Sequence, residues 1–392
     1  MKIVQINATC GIGSTGRICV SISQLLSSKG IENYILYSLR NSSYSLGIKF
    51  TNEPIRKIQA LMEKLTGGYG FGAIISTIGL IKKLRKIQPD VIHLHNIHNR
   101  DCNISMLFRY IRRNNIKVYW TFHDCWAFTG YCTHYDLLGC NKWKTECCVC
   151  PQYRNFSFFS DKSKYNFIEK KKAYADGVDM SIITPSRWLA KQVSESFLNK
   201  YDIRVINNGI DLSVFRPIET NFRDIYRCHD KYIVLGISLS WDYKKGLDVF
   251  NFLAENLNDD YLIIMVGTIN NAKNVNKKIL RIERTDHIND LVAIYSAANV
   301  FVNASREENY PTVNLEALAC GTPIVAFDSG GTPETVPNGC GIVVPRNNMA
   351  GILNSVVNVC ENNVVCRENC LKASINNDQN QCFENYLRLY GV

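Results

Sequence analysis

No stretch of this 392-residue chain is apolar for long enough to cross a bilayer: the longest apolar run, Phe71–Ile81, falls well short of the ~20 residues a spanning helix needs. The N-terminus, MKIVQINATCGIG, enters a strand at once. It lacks the apolar segment and cleavage site of a secretion signal, so the expectation is a cytoplasmic chain. No internal repeat and no low-complexity segment is visible, which excludes solenoid and fibrous classes. No basic tract is interleaved with aromatics, so nucleic acid is not an expected partner. No Asp-x-Asp motif stands out at a strand end, so no divalent ion is expected in catalysis.

What is present is enough chain for two hydrophobic cores. Charge is unevenly divided: residues 1–218 hold 30 Lys and Arg against 15 Asp and Glu, and the remainder holds 15 against 20. A basic half points to an anionic membrane face or a diphosphate substrate. Of the 16 cysteines, ten are scattered, several in apolar stretches where a free thiol packs as a small core residue. The other six fall within residues 125–150.

Short β-branched runs alternate with longer amphipathic ones. Strands are predicted at 2–7, 33–39, 91–96, 117–124, 180–186 and 203–209, with helices over 16–28, 74–87, 104–114 and 188–200. The pattern restarts with strands at 232–238, 261–267, 300–305 and 322–328 and helices over 247–256, 288–297 and 313–319. Such alternation builds parallel sheets covered by helices. Two doubly wound, Rossmann-like α/β domains are expected, joined near Phe215–Asn221 and facing an interdomain cleft. Their bounds are 1–218 and 219–378, with a C-terminal helix over 379–392 packing back toward the first domain. Ligands of open parallel sheets sit beyond the carboxyl ends of the strands, so residues there are read for function first.

One candidate is the turn Cys10-Gly11-Ile12-Gly13-Ser14-Thr15-Gly16-Arg17, between the first strand and helix. Its glycines admit a phosphate close to the backbone, and the helix N-terminus offers amide donors. The second strand ends near Tyr37–Arg40 without an acidic residue, which argues against a dinucleotide fingerprint. The strongest local signal is Arg306-Glu307-Glu308-Asn309-Tyr310-Pro311-Thr312-Val313-Asn314-Leu315-Glu316-Ala317-Leu318-Ala319-Cys320-Gly321-Thr322-Pro323. Glu308 lies at a strand end and Glu316 on an otherwise apolar helix. Ionised carboxylates only accept hydrogen bonds, which suits the hydroxyls of a sugar and a ribose. A charge at Glu316 demands a partner.

Glu308-x(7)-Glu316 followed by Ala-Leu-Ala-Cys-Gly-Thr-Pro-Ile-Val resembles the donor-site motif of family 4 retaining glycosyltransferases, which have the GT-B fold. The resemblance extends over nearly the whole chain through PDVIHLHNIHN (89–99), ITPSRWLA (183–190), VINNGIDLSVFRP (205–217), YKKGLD (243–248), LVAIYSAANVFVNAS (291–305) and SGGTPETV (329–336). TFHDCWAFTGYC and CCVCPQ, within 121–152, resemble a subgroup associated with colanic acid, capsule and O-antigen synthesis. The resemblance implies that His123 lies near the transferred sugar and that Lys245, beside Lys244, holds the donor diphosphate. It places Gly13, Ser14 and Gly16 on a phosphate- and acceptor-facing loop, and Ser329, Gly330 and Gly331 beside the donor. It sets Arg284 and Thr285 near the base. Two departures stand out. The first strand of the second domain continues from Gly236 as Ile237-Ser238-Leu239, where many relatives have Arg after the glycine, and the usual Glu-Gly-Phe-Gly is Glu308-Asn309-Tyr310-Pro311. Asn309, Tyr310, Pro311 and Thr312 therefore shape the sugar pocket.

The reaction so implied is front-face displacement with retention from a nucleotide diphosphate sugar onto a lipid-linked oligosaccharide, at an anionic membrane face and without a cofactor. Two other readings stay open: a GT-B-like nucleotide-sugar epimerase and a non-enzymatic polyanion-binding protein. Cys132, Cys140, Cys147 and Cys150 are spaced C-x(7)-C-x(6)-C-x(2)-C. Four thiolates could hold a structural Zn²⁺; reduced thiols and disulfides are the alternatives.

Overall fold

The computed structural model describes residues 1–174, 177–269 and 275–392. The chain divides into two compact units, Met1–Asn207 with Phe383–Val392, and Asn208–Cys382.

The first unit is built on seven parallel strands: β1 (Lys2–Asn7), β2 (Glu32–Tyr37), β3 (Gly47–Lys49), β4 (Val91–Leu94), β5 (Lys117–Thr121), β6 (Met180–Thr184) and β7 (Asp202–Val205). Their spatial order is β3-β2-β1-β4-β5-β6-β7. Central strands are buried on both faces, which is why they read as runs of Val and Ile rather than as alternation. The register sets Val4 against Ile92 and Ile6 against Leu94, and these side chains join Leu36, Val118 and Trp120 in one core. The covering helices are α1 (Gly13–Ser28), α2 (Glu53–Thr66), α3 (Ile74–Ile87), α4 (Ile104–Arg113), α5 (Ser163–Tyr174) and α6 (Arg187–Ser194). Local chemistry marks their ends. Asn103 Oδ1 accepts the Met106 N–H at 3.0 Å to start α4, and Ser186 Oγ accepts the Leu189 N–H at 3.1 Å to start α6. Gly67, at φ 72°, closes α2 in the left-handed region.

The second unit repeats the plan with β8 (Tyr232–Trp241), β9 (Tyr261–Ile269), β10 (Ile279–Ile282), β11 (Val300–Asn303), β12 (Ile324–Asp328) and β13 (Gly341–Pro345), in the order β10-β9-β8-β11-β12-β13. Its longer helices are α8 (Leu247–Asn256), α9 (Ile288–Ala297), α10 (Thr312–Ala319), α11 (Met349–Glu361) and α12 (Arg367–Ser374), preceded by the one-turn α7 (Phe222–Ile225). In both sheets the strand order reverses beside the first strand, between β1 and β4 and between β8 and β11. Crevices that hold ligands form at such reversals.

Several expected boundaries shift. Segments 95–96, 122–124 and 304–305, expected as strand, are instead the loops that leave β4, β5 and β11. The helix expected from Gly16 begins at Gly13, and the one expected to reach Lys200 ends at Ser194. The first unit ends at Asn207, short of the expected joint near Phe215–Asn221. Ile210 accounts for this: its N–H donates to Asn377 O and its carbonyl accepts from Gln379 N–H, both at 2.9 Å, while Phe215 and Phe222 pack in the second core. The last helix, α13 (Gln379–Tyr390), returns the chain to the first unit from Phe383 onward.

Candidate active site

In the second unit, the loops leaving β8, β11 and β12 converge. Gly246, at φ 83°, is the tight point: a Cβ there would lie 2.6 Å from that of Ala304, so only glycine lets the two loops touch. Lys244 and Lys245 then meet the carboxylates after β11. Lys244 Nζ lies 2.6 Å from Glu307 Oε2, and Lys245 Nζ donates to Glu308 Oε1. Burial works against the Lys245 charge, but Glu308, Asp242 and Glu307 outweigh it and hold its pKa above the usual lysine value. The lysine is a fixed cation.

The third loop carries Ser329, Gly330 and Gly331. A Cβ on Gly330 (φ 57°) would overlap the carbonyl oxygen of Glu308, so the glycine permits this loop to lie against Glu308. Ser329 Oγ and Thr332 Oγ1 are buried without a hydrogen-bond partner among the described residues. Two orphaned hydroxyls on a loop against the Glu308 backbone fit a ligand that would satisfy them. Glu316, 3% exposed on α10, receives the Tyr295 hydroxyl on Oε2 at 3.1 Å. That is the partner its apolar helix required. Pro311 precedes α10 and Thr312 opens it. Asn309 and Tyr310 are buried, and the Tyr310 carbonyl accepts from Asn208 Nδ2 at 3.2 Å. Arg284 and Thr285 follow the edge strand β10, two strands from β8, with Arg284 exposed.

Beneath the lysines lies a residue that sequence reasoning passed over. Arg306 is 1% exposed. Its guanidinium forks onto Asp248, NH1 to Oδ1 at 2.8 Å and NH2 to Oδ2 at 2.7 Å. Nε donates to Asn347 Oδ1 at 2.7 Å and NH1 to the Tyr243 carbonyl at 2.5 Å, while the cation sits 3.9 Å from the Tyr243 ring centre. The Arg306 N–H also donates to the Lys244 carbonyl at 2.8 Å. Arg306 thus bolts the lysine loop to the end of β11. The expected pair, Glu308 and Glu316, drew attention away from the arginine two residues before Glu308.

In the first unit, the reversal point carries imidazoles. His95 Nε2 lies 3.1 Å from Gln5 Oε1, and His95 Nδ1 lies 3.1 Å from His123 Nε2. Gln5 Nε2 donates to the Cys19 carbonyl at 2.9 Å. That fixes the amide so its oxygen faces His95, which must carry its proton on Nε2. His95 Nδ1 is then an acceptor, and His123 donates to it from Nε2. Burial pushes His123 down to about 4 and His95 well below the usual histidine range, so both are neutral at pH 7. Beside them, His98 Nε2 meets Asp124 Oδ2 at 2.7 Å. Burial of Asp124 is more than offset by His98 and the Trp126 N–H, which bring its carboxyl to about 2. His93 Nδ1 is 2.6 Å from the Tyr390 hydroxyl on α13. His93 and His95 alternate on β4 and its exit, the spacing at which two side chains share a sheet face.

The glycine turn has divided roles. Gly13 (φ 70°) and Ser14 are exposed, and no atom lies within 4 Å of the position a Cβ on Gly13 would take. Gly16 is buried, where a Cβ would come within 2.7 Å of Thr9 Oγ1. Gly16 closes the turn, and Gly13 and Ser14 face outward.

Cys132, Cys140, Cys147 and Cys150 gather against the first core as free thiols. Among the described residues no group of three or more His, Cys, Asp or Glu side chains is placed to hold a metal ion. Two of the four sulfurs accept hydrogen bonds. Cys147 Sγ accepts the Gly130 N–H at 3.2 Å, and Cys132 Sγ accepts from Gln152 Nε2 at 3.7 Å. A hydrogen bond from Cys132 draws the Cys150 thiol down to about 7.

Comparison with known proteins matches this geometry to a family. The Glycosyltransferase Family 4 model matches residues 16–214, just over half the chain, and the model for group 1 glycosyl transferases matches residues 231–362. A colanic acid biosynthesis glycosyl transferase of Escherichia coli K12 is 24% identical over 370 residues, covering 88% of this chain and 87% of its own. A second Escherichia coli protein, the UDP-Gal:α-D-GlcNAc-diphosphoundecaprenol α-1,3-galactosyltransferase, is 25% identical over 205 residues, 47% of this chain and 52% of its own. The Anabaena protein HepE, solved with UDP-glucose, superposes with a TM-score of 0.70 at 14% identity, over 100% of this chain and 99% of its own. The paired parallel sheets and these matches establish the GT-B fold, and the chain belongs to glycosyltransferase family 4.

Proposed function

We propose that this chain transfers a sugar, with retention, from a nucleotide diphosphate sugar onto a lipid-linked glycan during surface polysaccharide synthesis. The observation that carries the reading is the Lys245–Glu308 bond beside the β8–β11 reversal, with the Glu308 backbone against the loop that holds the orphaned Ser329 and Thr332 hydroxyls. Lys245 opposes the charge that develops on the leaving diphosphate, without a metal ion. Glu308 accepts hydrogen bonds from sugar hydroxyls, and Glu316 from the ribose. The anomeric C–O bond to the diphosphate breaks as the acceptor oxygen bonds the same carbon, and the acceptor proton passes to the leaving phosphate oxygen. His123, neutral and tethered through Nε2 to His95, positions the sugar rather than exchanging protons. The colanic acid relative and the diphosphoundecaprenol-using relative support the polysaccharide and lipid-linked parts of the reading, and the UDP-glucose complex of HepE supports the donor class.

A panel of nucleotide sugars in thermal-shift assays tests the donor, because a ligand that binds the native state raises its melting temperature. Lys245→Met should abolish the shift given by the best donor. An undiminished shift in that variant would sink the donor-site reading, and conversion of a nucleotide sugar without any acceptor would favour the epimerase.

A further inference from the structure

Two helices of the first unit are packed inside out for a surface that meets water. α2 buries Gln59 and Glu63, one turn apart, and turns Ile58, Leu61, Met62 and Leu65 outward. That i, i+3, i+4, i+7 spacing makes a single apolar stripe. α3 repeats the inversion in its first turn: Ser76 and Thr77 are buried, while Ile74, Ile75 and Ile78 are exposed. The polar side chains form the seam that joins the helices to each other and to their neighbours. Gln59 Oε1 accepts the Ile75 N–H at 2.8 Å, and Gln59 Nε2 donates to Ser76 Oγ at 2.5 Å. Glu63 Oε1 accepts the Gly72 N–H at 3.0 Å, and Thr77 Oγ1 accepts the Asn103 N–H at 2.7 Å. With the polar groups so used, the outer face is left apolar. Ile58 is 63% exposed, Leu61 53% and Ile75 57%. Phe158 and Phe159 extend the patch at the end of α2, where the Phe158 N–H donates to the Lys64 carbonyl at 2.9 Å. An apolar face of this extent marks a surface that is covered in use.

Charge identifies the cover. α2 and α3 carry two acids, Glu53, paired with Lys57 at 3.1 Å, and Glu63, buried in the seam. Against these stand Arg56, Lys57, Lys64, Lys82, Lys83, Arg85 and Lys86. Between the helices a groove of about 390 Å³ is lined by Ile55, Ile75 and Ile78 with Lys49 and Lys82 at its margin. A second copy of this chain would bring the same positive collar against itself. An anionic bilayer takes an apolar stripe at its acyl boundary and lysines at its phosphates.

We propose that the α2–α3 face docks on an anionic lipid bilayer, with Ile58, Leu61, Met62 and Ile75 at the acyl boundary and Lys57, Lys64, Lys82 and Lys83 on the headgroups. The proposal shares with the functional reading only the idea that the acceptor is lipid-borne, and its test uses neither donor nor acceptor. The full chain is sedimented with large vesicles of phosphatidylcholine alone or with phosphatidylglycerol, at low and high salt. Wild-type protein should pellet with anionic vesicles and be largely released by salt. Leu61→Glu with Ile75→Glu should weaken binding by about tenfold or more while keeping the melting temperature, since both positions are exposed. Lys82→Glu with Lys83→Glu should weaken it about as much. Donor thermal shifts, measured on the same variants, should be unchanged, so a failed transferase reading would show in the donor assay and leave the vesicle result standing. Equal pelleting of wild type and the Leu61/Ile75 variant overturns the proposal. So does a lipid-free dimer in sedimentation velocity that the same variant makes monomeric, which would assign the face to a second copy.

Discussion

Replacing Arg306 by methionine removes a guanidinium held by Asp248, Asn347 and the Tyr243 carbonyl; Asp248 and Asn347 lose that donor, while the Tyr243 carbonyl keeps the Gly246 N–H at 3.2 Å. Breaking a buried ion pair from one side costs about 3–5 kcal/mol. Asp248 is 31% exposed and can turn partly to water, so the lower end applies, about 3 kcal/mol. In a unit of this size that corresponds to a fall of roughly 6–12 °C in melting temperature. The functional consequence is separate. The Arg306 clamp sets the loop that carries Lys244 and Lys245, and misplacing a charge by about 1 Å can cost ~100-fold in rate. Donor affinity, measured by calorimetry below the melting transition, should therefore fall with kcat. Arg306→Lys keeps the cation but not the fork, so it should recover part of the stability and little of the turnover. The reasoning is refuted if Arg306→Met melts early yet binds donor and turns over like wild type, because the arginine would then be a core residue without influence on the lysines.

The other predictions are independent of that clamp. Glu316→Ala frees one acceptor of the Tyr295 hydroxyl, which also reaches the Val313 carbonyl at 3.3 Å, so stability should fall by only about 1 kcal/mol while donor KM rises and kcat drops in steady-state assays. Burial raises the Glu63 carboxyl to about 8. The native state then keeps a proton that the unfolded chain releases in the ordinary carboxylate range, so this contribution to stability is full below that range and is lost as pH rises through about 8. Urea melts of Glu63→Gln should accordingly depend less on pH between 5 and 9 than those of wild type. Alkylation with iodoacetamide near neutral pH should label Cys150 before Cys132, and metal analysis of protein purified without chelators should find less than one zinc per chain. Stoichiometric zinc with all four sulfurs protected would make Cys132, Cys140, Cys147 and Cys150 its ligands.

What the sequence made legible follows its periodicity. The helices at Ile74–Ile87, Leu247–Asn256 and Ile288–Ala297 match the expected bounds at both ends. The strand at 2–7 matches its expected bounds and the one expected over 91–96 ends at Leu94, both being short runs rich in Val and Ile and buried on both faces. α2 went unread although Asn52, Pro54 and Gly67 mark its ends, since its apolar stripe faces outward and gives no sign of a core. The three-residue β3 and the edge strands β10 and β13 were too short or too exposed to show. The donor motif was legible because its residues are close in sequence. Arg306–Asp248 and His95–Gln5 were not, because partners so far apart in sequence meet only through strand order. Lys170 went unread. It sits in the run Glu-Lys-Lys-Lys, yet it is fully buried, donates to the Trp126 carbonyl at 2.6 Å and the Thr129 carbonyl at 2.9 Å, and stands over the Trp126 ring.

The return of α13 to the first unit lets residues far along the chain set the histidines. Tyr386 bonds Thr121, and Tyr390 bonds His93, which rests against His95 at 4.0 Å between ring centres. Tyr390 stands 297 positions from His93 in sequence. The setting of His93, and through it of His95, therefore depends on a helix that neither β4 nor its neighbours in sequence supply. A substitution on α13 can reach the imidazoles without touching the strand that carries them.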